Sequence, residues 1–187
     1  MKLWLLRHAQ VLVEAGTCYG SSDVDCDALA TNAAAKNFAP YPLMGSTLWT
    51  SPSGRACLLA QDLSMMRPDL QGPSTDNRLQ EMDFGQWEMQ RWESIPRAAI
   101  DLWAKEFPHH RFGGNECVQE VLDRVADVLA SACQLGIPEM VWVTHAGVIR
   151  AVQFLSIDEK RTKISSAAEW PTSAPAMGEW ICLDIQK

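Results

Sequence analysis

Arg7-His8 closes the apolar run Leu3-Trp4-Leu5-Leu6 and is the first pair along the chain equipped for chemistry. A neutral imidazole is a nucleophile towards phosphorus, and a neighbouring guanidinium can hold phosphoryl oxygens through a planar fork of N–H donors. His145 stands in a similar setting. It follows the run Met140-Val141-Trp142-Val143-Thr144 and precedes Ala146-Gly147 and a helical stretch. Free N–H groups at a helix N-terminus point the same way, so a histidine there is well placed for an anion. Arg55 follows the turn Thr50-Ser51-Pro52 in the first turn of another helix. A cation at that end opposes the helix dipole, which makes anion binding the better explanation. Glu81 lies in Arg78-Leu79-Gln80-Glu81-Met82-Asp83-Phe84-Gly85-Gln86-Trp87-Glu88. One partly buried carboxyl near a phosphate could donate a proton to a departing alcohol. Plainer readings exist for each: a polar turn after a strand for the histidines, and solvated side chains for the acids.

The elements that must position these residues are visible in the pattern. Lys2 to Leu6 and Met140 to Val143 read as buried strands. Ala28 to Phe38 is alanine-rich and helical, stopped by Pro40 and Pro42. Thr47 to Thr50 is strand-like, and a helix starts at Ser53 with Ser51-Pro52 before it. Gln86 to Phe107 is helical in parts, interrupted at Pro96, and carries Trp87, Trp92 and Trp103, of which two are expected to serve packing. Val118, Val121, Leu122, Val125, Val128 and Leu129 recur at helical spacing and predict one buried stripe. Val148 to Leu155 is helical and Glu179 to Ile185 a last strand. Alternating strands and helices predict an α/β fold, with helices on both faces of a mainly parallel sheet. Ligands in such sheets sit at the carboxyl ends of the strands, and two of the strands lead directly into His8 and His145.

At 187 residues, with 47% hydrophobic and 21% charged residues, the chain is expected to form a single domain, 1–187, with a core of its own. No apolar run is long enough to cross a bilayer, and Arg7-His8 comes too early for a signal peptide, so the expected location is the cytoplasm with no membrane partner. A net charge of −7 repels a phosphate backbone, which argues against nucleic acid as the partner. The six cysteines form no CxxC pair and read as reduced and mostly buried. Cys18 and Cys26 with His109 and His110 have the wrong spacing for a compact zinc site, so neither metal nor other cofactor is expected.

Arg7-His8-Ala9, Ser51-Pro52-x-x-Arg55-Ala56, Glu81-x-x-Phe84-Gly85-x-Trp87-Glu88 and His145-Ala146-Gly147, in that order, resemble the motifs of the histidine phosphatase superfamily, from Leu3 to about Val152. The resemblance implies a phosphoglycerate-mutase-like three-layer α/β/α sandwich and a metal-independent phosphatase acting on a small phosphorylated substrate. By the same resemblance His8 is the nucleophile, Arg7, Arg55 and His145 form the phosphate pocket, and Glu81 is the acid that protonates the leaving oxygen and then activates water. The chain departs from the pattern at Ala9, Val11 and Glu14, where the family commonly has Gly, Thr and Asn, at Leu59, and over Asp27 to Ala33. A carboxylate at position 14 would repel phosphate if it pointed inward.

Within the superfamily, Cys18-Tyr19-Gly20-x-x-Asp23, the continuation from Glu81 to Trp92 and Ile95, and Gly114-Asn115-Glu116-Cys117 with Arg124 are similar to the α-ribazole phosphatase branch, which acts in cobalamin synthesis. Two rivals remain: a phosphoglycerate mutase, for whose covering segments the chain is short, and a catalytically weak phosphate-binding protein.

Overall fold

The computed structural model describes residues 1–158 and 161–185. Its centre is a five-stranded sheet of order β3-β2-β4-β1-β5, built from β1 (Lys2–Arg7), β2 (Thr47–Thr50), β3 (Gln71–Thr75), β4 (Glu139–Thr144) and β5 (Trp180–Asp184). The first four run parallel and β5 is antiparallel to β1. The helices are α1 (Ala28–Phe38), α2 (Gly54–Met66), α3 (Arg97–Lys105), α4 (Val118–Gln134) and α5 (Ala146–Leu155).

Side chains alternate across a strand, so the central strands feed two separate cores. Leu3 and Leu5 of β1 with Met140 and Trp142 of β4 pack with α4 and α5. Leu6, Leu48, Val141 and Val143 pack with α1 and α2 on the opposite face. β4 is buried along its whole length, which is why its sequence shows no alternation. The result is the expected three-layer α/β/α sandwich. On α4 the stripe Val118, Val121, Leu122, Val125 and Val128 is buried, while Leu129 sits at its margin.

The structure differs from the sequence reading in several places. β3 (Gln71-Gly72-Pro73-Ser74-Thr75) contains no large apolar residue and is exposed throughout. As an edge strand it is held by main-chain pairing to β2 rather than by a buried face. The segment from Gln86 to Phe107 is less helical than expected, with 3-10 turns at Gly85–Trp87 and Trp92–Ser94 before α3. All three of its tryptophans pack against the core, with Trp87, Trp92 and Trp103 gathered around the buried Phe112. All six cysteines are free, but only Cys18 and Cys117 are buried, which corrects the expectation of mostly buried thiols. Cys182 is exposed because it lies on β5, none of whose side chains is buried. Among the described residues no helix is long and apolar enough to cross a membrane.

Candidate active site

Parallel pairing of β2, β4 and β1 brings their carboxyl ends side by side. The ladder continues one step beyond the strands, with Ser51 N–H donating to Val143 O at 2.9 Å and His8 N–H to Thr144 O at 2.9 Å. That alignment sets Ser51, His145 and His8 in a row, with the two imidazole centroids 5.2 Å apart.

His8 is 2% exposed, and its Nδ1 lies 2.8 Å from Ala9 O. A carbonyl only accepts, so Nδ1 carries the proton and the lone pair is on Nε2, which takes no hydrogen bond among the described residues. Burial, with the charges of Arg55 and Arg7 acting in the same direction, pushes the His8 pKa down to about 3. His145 is fully buried. Arg55 Nη2 approaches its Nδ1 at 3.3 Å as donor, which leaves Nε2–H to donate to Ser51 Oγ at 2.8 Å, with Ser53 Oγ at 3.2 Å. Burial holds its pKa well below the ordinary value, reinforced by His8 and Arg55. Both imidazoles are therefore neutral at physiological pH.

Arg55 is 1% exposed, with Nη1 donating to Ser22 O at 2.8 Å and Nη2 to Gly20 O at 2.6 Å. The Tyr19 ring lies 5.5 Å from its guanidinium carbon, within cation–π range. Arg7 Nη1 donates to Pro175 O at 3.0 Å. Burial works against both guanidinium charges, while Glu81 and Tyr19 favour them. The Nε–H groups of Arg7 and Arg55 are both buried without an acceptor. Buried charged donors left unpaired are costly, and beside a neutral histidine they suit an anion that supplies the missing acceptors.

Glu81 is brought here by the loop after β3. Thr144 Oγ1 donates to Leu79 O at 2.7 Å and Arg124 Nη1 to Arg78 O at 2.8 Å, which pins the loop across the end of β4. Glu81 Oε2 accepts from Gly147 N–H, in the first turn of α5, at 3.0 Å. A Cβ at Gly147 would meet that carboxylate, so a side chain there would displace Glu81 from its present position.

The five sequence-predicted residues Arg7, His8, Arg55, Glu81 and His145 thus gather at one end of the sheet, linked by direct hydrogen bonds, ring contact or electrostatic interaction. Glu14 does not join them: it is 73% exposed and ion-paired with Arg91. The acids near Glu81 are not merely solvated either. Asp83 accepts from Gly85 N–H at 2.8 Å and Asn115 Nδ2 at 3.0 Å. Glu88 accepts from the backbone N–H groups of Gly20, Ser21, Ser22 and Phe84 at 2.9–3.3 Å. It thereby fixes the loop whose carbonyls orient Arg55. Sequence reasoning gave no role to Glu88, Tyr19, Ser51 or Ser53. The only signal for the serines was Ser51-Pro52-Ser53 ahead of α2, where Ser53 makes no side-chain cap bond and instead faces His145. Asp23 meets the capping need by accepting from Gly54 N–H at 2.9 Å.

The neutral histidines carry a pH consequence. Between about 3 and the unfolded value near 6.5, the unfolded chain protonates His8 and the folded chain does not. Stability is therefore full above about 6.5 and is lost as pH falls towards 3, by at most about 1.4 kcal/mol per unit for each buried histidine. Thermal unfolding should show Tm falling from pH 7 to pH 4, and less steeply in His8→Gln. A Tm flat over that range in the wild type would contradict a buried neutral pair.

Among the described residues no three His, Cys, Asp or Glu side chains are grouped to hold a metal ion, the combination of Cys18, Cys26, His109 and His110 included. The fold and the position of the site at adjoining strand ends are those of an α/β protein that binds its ligand at the carboxyl edge of a parallel sheet. Residues 3–165 match the model of the histidine phosphatase superfamily (branch 1), and the chain belongs to that superfamily. A protein of Hydrogenobacter thermophilus that carries the name "Putative phosphoserine phosphatase 2" is 29% identical over 160 residues, covering 81% of this chain and 76% of the relative. The fold is also that of Bacillus stearothermophilus YhfR (TM-score 0.79, 20% identity, 99% of this chain and 91% of the other). TTHB049 from Thermus thermophilus is similar too (TM-score 0.73, 22% identity, 98% and 94%).

Proposed function

We propose that the chain, as one phosphatase domain acting in the cytoplasm, hydrolyses a small phosphomonoester through a phosphohistidine on His8, without a metal. The observation that carries this reading is a buried neutral imidazole with a free Nε2, close enough to two arginines with unpaired buried donors for their charges to act on it. Nε2 attacks phosphorus and the P–O bond to the alcohol breaks. Glu81 gives the departing oxygen its proton. Arg7, Arg55 and His145 hold the phosphoryl oxygens, supplying preorganised donors where charge shifts in the transition state. In the second step Glu81 takes a proton from water, whose oxygen attacks the phosphorus and releases phosphate and neutral His8. α-Ribazole 5′-phosphate is the substrate suggested by the loop motifs, and O-phosphoserine the one suggested by the Hydrogenobacter relative.

The test uses leaving-group dependence, with EDTA present throughout. An alkoxide must be protonated as it leaves, whereas p-nitrophenolate departs almost unaided. Glu81→Gln should therefore slow phosphoenzyme formation from an alkyl phosphate by roughly 10²-fold or more, and from p-nitrophenyl phosphate far less. Asp83→Asn and Glu88→Gln should show no such selectivity: Glu81 acts on both Arg7 and Arg55, whereas Asp83 acts on neither and Glu88 is held by four backbone N–H groups. Equal slowing of both substrates by Glu81→Gln removes Glu81 as the acid. Activity lost to EDTA and restored by zinc or magnesium removes the metal-independent reading.

A further inference from the structure

Two cavities meet at Glu81 and share no other lining residue. One, of about 500 Å³, is polar and contains Arg111 and Arg124. Both arginines there are matched by carboxylates, Arg111 by Glu120 and Arg124 by Glu116. The other, of about 220 Å³, is walled by Phe84, Trp103, Phe107 and Trp170, and reaches Gly147 and Arg150 on α5. Its walls are braced: Trp103 stacks on Phe112 at 4.5 Å, and Phe107 meets Trp170 edge-on at 6.0 Å.

Two residues of this lining carry buried donors without acceptors, Trp103 at Nε1–H and Arg150 at Nε–H. Arg150 also belongs to none of the ion pairs among the described residues. Glu81, the only carboxylate in the lining, is already bonded to Gly147 N–H and Met82 N–H. The Arg150 Nε–H is buried against aromatic walls without an acceptor and the side chain is in no ion pair among the described residues, an unfavourable arrangement that a bound carboxylate relieves. Arg150 lies three residues after Gly147 on the same helical face and is near enough to Arg7 to act on its charge. Because this cavity runs from Glu81 past Gly147 to Arg150, an ester with its phosphoryl group at His8 and its departing oxygen at Glu81 can extend into it. Its volume is below the ~300–1,000 Å³ of drug-sized pockets and suits a single substituted ring.

Resting on the phosphatase reading above, we infer that the cavity receives the leaving alcohol and selects one whose flat apolar body carries a carboxylate, with Arg150 as the specificity-determining residue. Trp103 supplies a second hydrogen bond to the same group.

Benzyl phosphate and 4-carboxybenzyl phosphate differ by the carboxylate and little in leaving ability, so they isolate the effect. The wild type should favour the carboxylated ester by roughly 10-fold or more in kcat/KM, chiefly through KM, the scale of a charged hydrogen bond. Arg150→Met should bring the ratio close to one, and Trp103→Phe should reduce it by a few-fold. Equal slowing of both esters by Arg150→Met is the mark of a structural role and overturns the assignment, as does a wild-type ratio near one. Binding of 4-(hydroxymethyl)benzoate, followed by tryptophan fluorescence, needs no turnover. Arg150-dependent binding without hydrolysis of either ester supports the cavity and sinks the phosphatase reading. Hydrolysis of both esters without Arg150-dependent binding does the reverse.

Discussion

His8→Ala is expected to abolish the phosphoenzyme and to lower kcat/KM by roughly 10⁴-fold or more, the scale on which a nucleophile acting as a unit with its neighbours fails when removed. The expectation follows from how little else His8 does. Among the described residues its one side-chain hydrogen bond is to Ala9 O, while Arg55 keeps its bonds to Gly20 and Ser22 and His145 its bond to Ser51. Alanine therefore removes the lone pair at Nε2 and leaves the anion-binding frame standing. Rapid quenching of the wild type during turnover should trap label that is labile to acid and stable to alkali, and the variant should trap none. Ser51, Ser53 and Cys57 are, with Tyr19, other nucleophiles of this region. Acid-stable label on either serine, or label on the cysteine, would end the phosphohistidine mechanism. Inorganic phosphate should still inhibit binding of a substrate analogue to His8→Ala, because the arginines remain. Loss of both activity and phosphate affinity would instead indicate that the frame had collapsed.

The neutral state of His8 also sets the acid limb of the activity profile. kcat/KM reports ionisations of the free enzyme. After correction for the substrate's own ionisation, the rate should hold to pH 5, since the His8 pKa is pushed down to about 3. An acid limb at the ordinary histidine value near 6.5 would mean that His8 is solvated in the free enzyme.

What the sequence made legible follows physical lines. α1 was readable to its ends because it is alanine-rich and prolines follow it, and the structure adds Asp27 as its side-chain cap. β1 and β4 were readable because both faces of each must be apolar, and their last residues lead into the two histidines. β3 was invisible because an exposed edge strand needs no buried side chain, only backbone pairing with β2. The same reason hid Glu88 and the serines. Glu88 acts on backbone N–H groups up to 68 residues away, and Ser51 and Ser53 on a histidine more than 90 residues away. Such partners are assigned by the sheet topology, not by local spacing. Glu14 shows the converse: it departs from the family pattern, yet Arg91 holds it at the surface. Arg150 carries no sequence signal of its own. Its isolation becomes visible only once the aromatic walls around it are in place.

Arg55→Ala is expected to lower kcat/KM by roughly 10²–10³-fold, the scale of losing a preorganised donor to developing charge, and Arg55→Lys by less. The guanidinium has five N–H donors. Nη1 gives one to Ser22 O, and Nη2 gives one each to Gly20 O and His145 Nδ1. That leaves Nε–H, buried with no acceptor, and the second Nη1–H to meet a phosphoryl oxygen. Lysine restores the charge but cannot bridge the two loop carbonyls, reach His145 and still face the anion. Alanine loses both charge and fork. Because Arg55 also holds the Gly20–Ser22 loop, a fall in activity alone would not separate binding of the anion from support of the loop. Inhibition by inorganic phosphate separates them. If Arg55 contacts the phosphoryl group, alanine weakens phosphate inhibition at least 10-fold, lysine recovers part of it, and added guanidinium ion rescues Arg55→Ala at concentrations well below those that lower its Tm. If Arg55 only supports the loop, Arg55→Ala lowers Tm and activity together while phosphate inhibition per folded molecule is unchanged. That second pattern would remove Arg55 from the phosphate pocket and leave Arg7 as its principal cation.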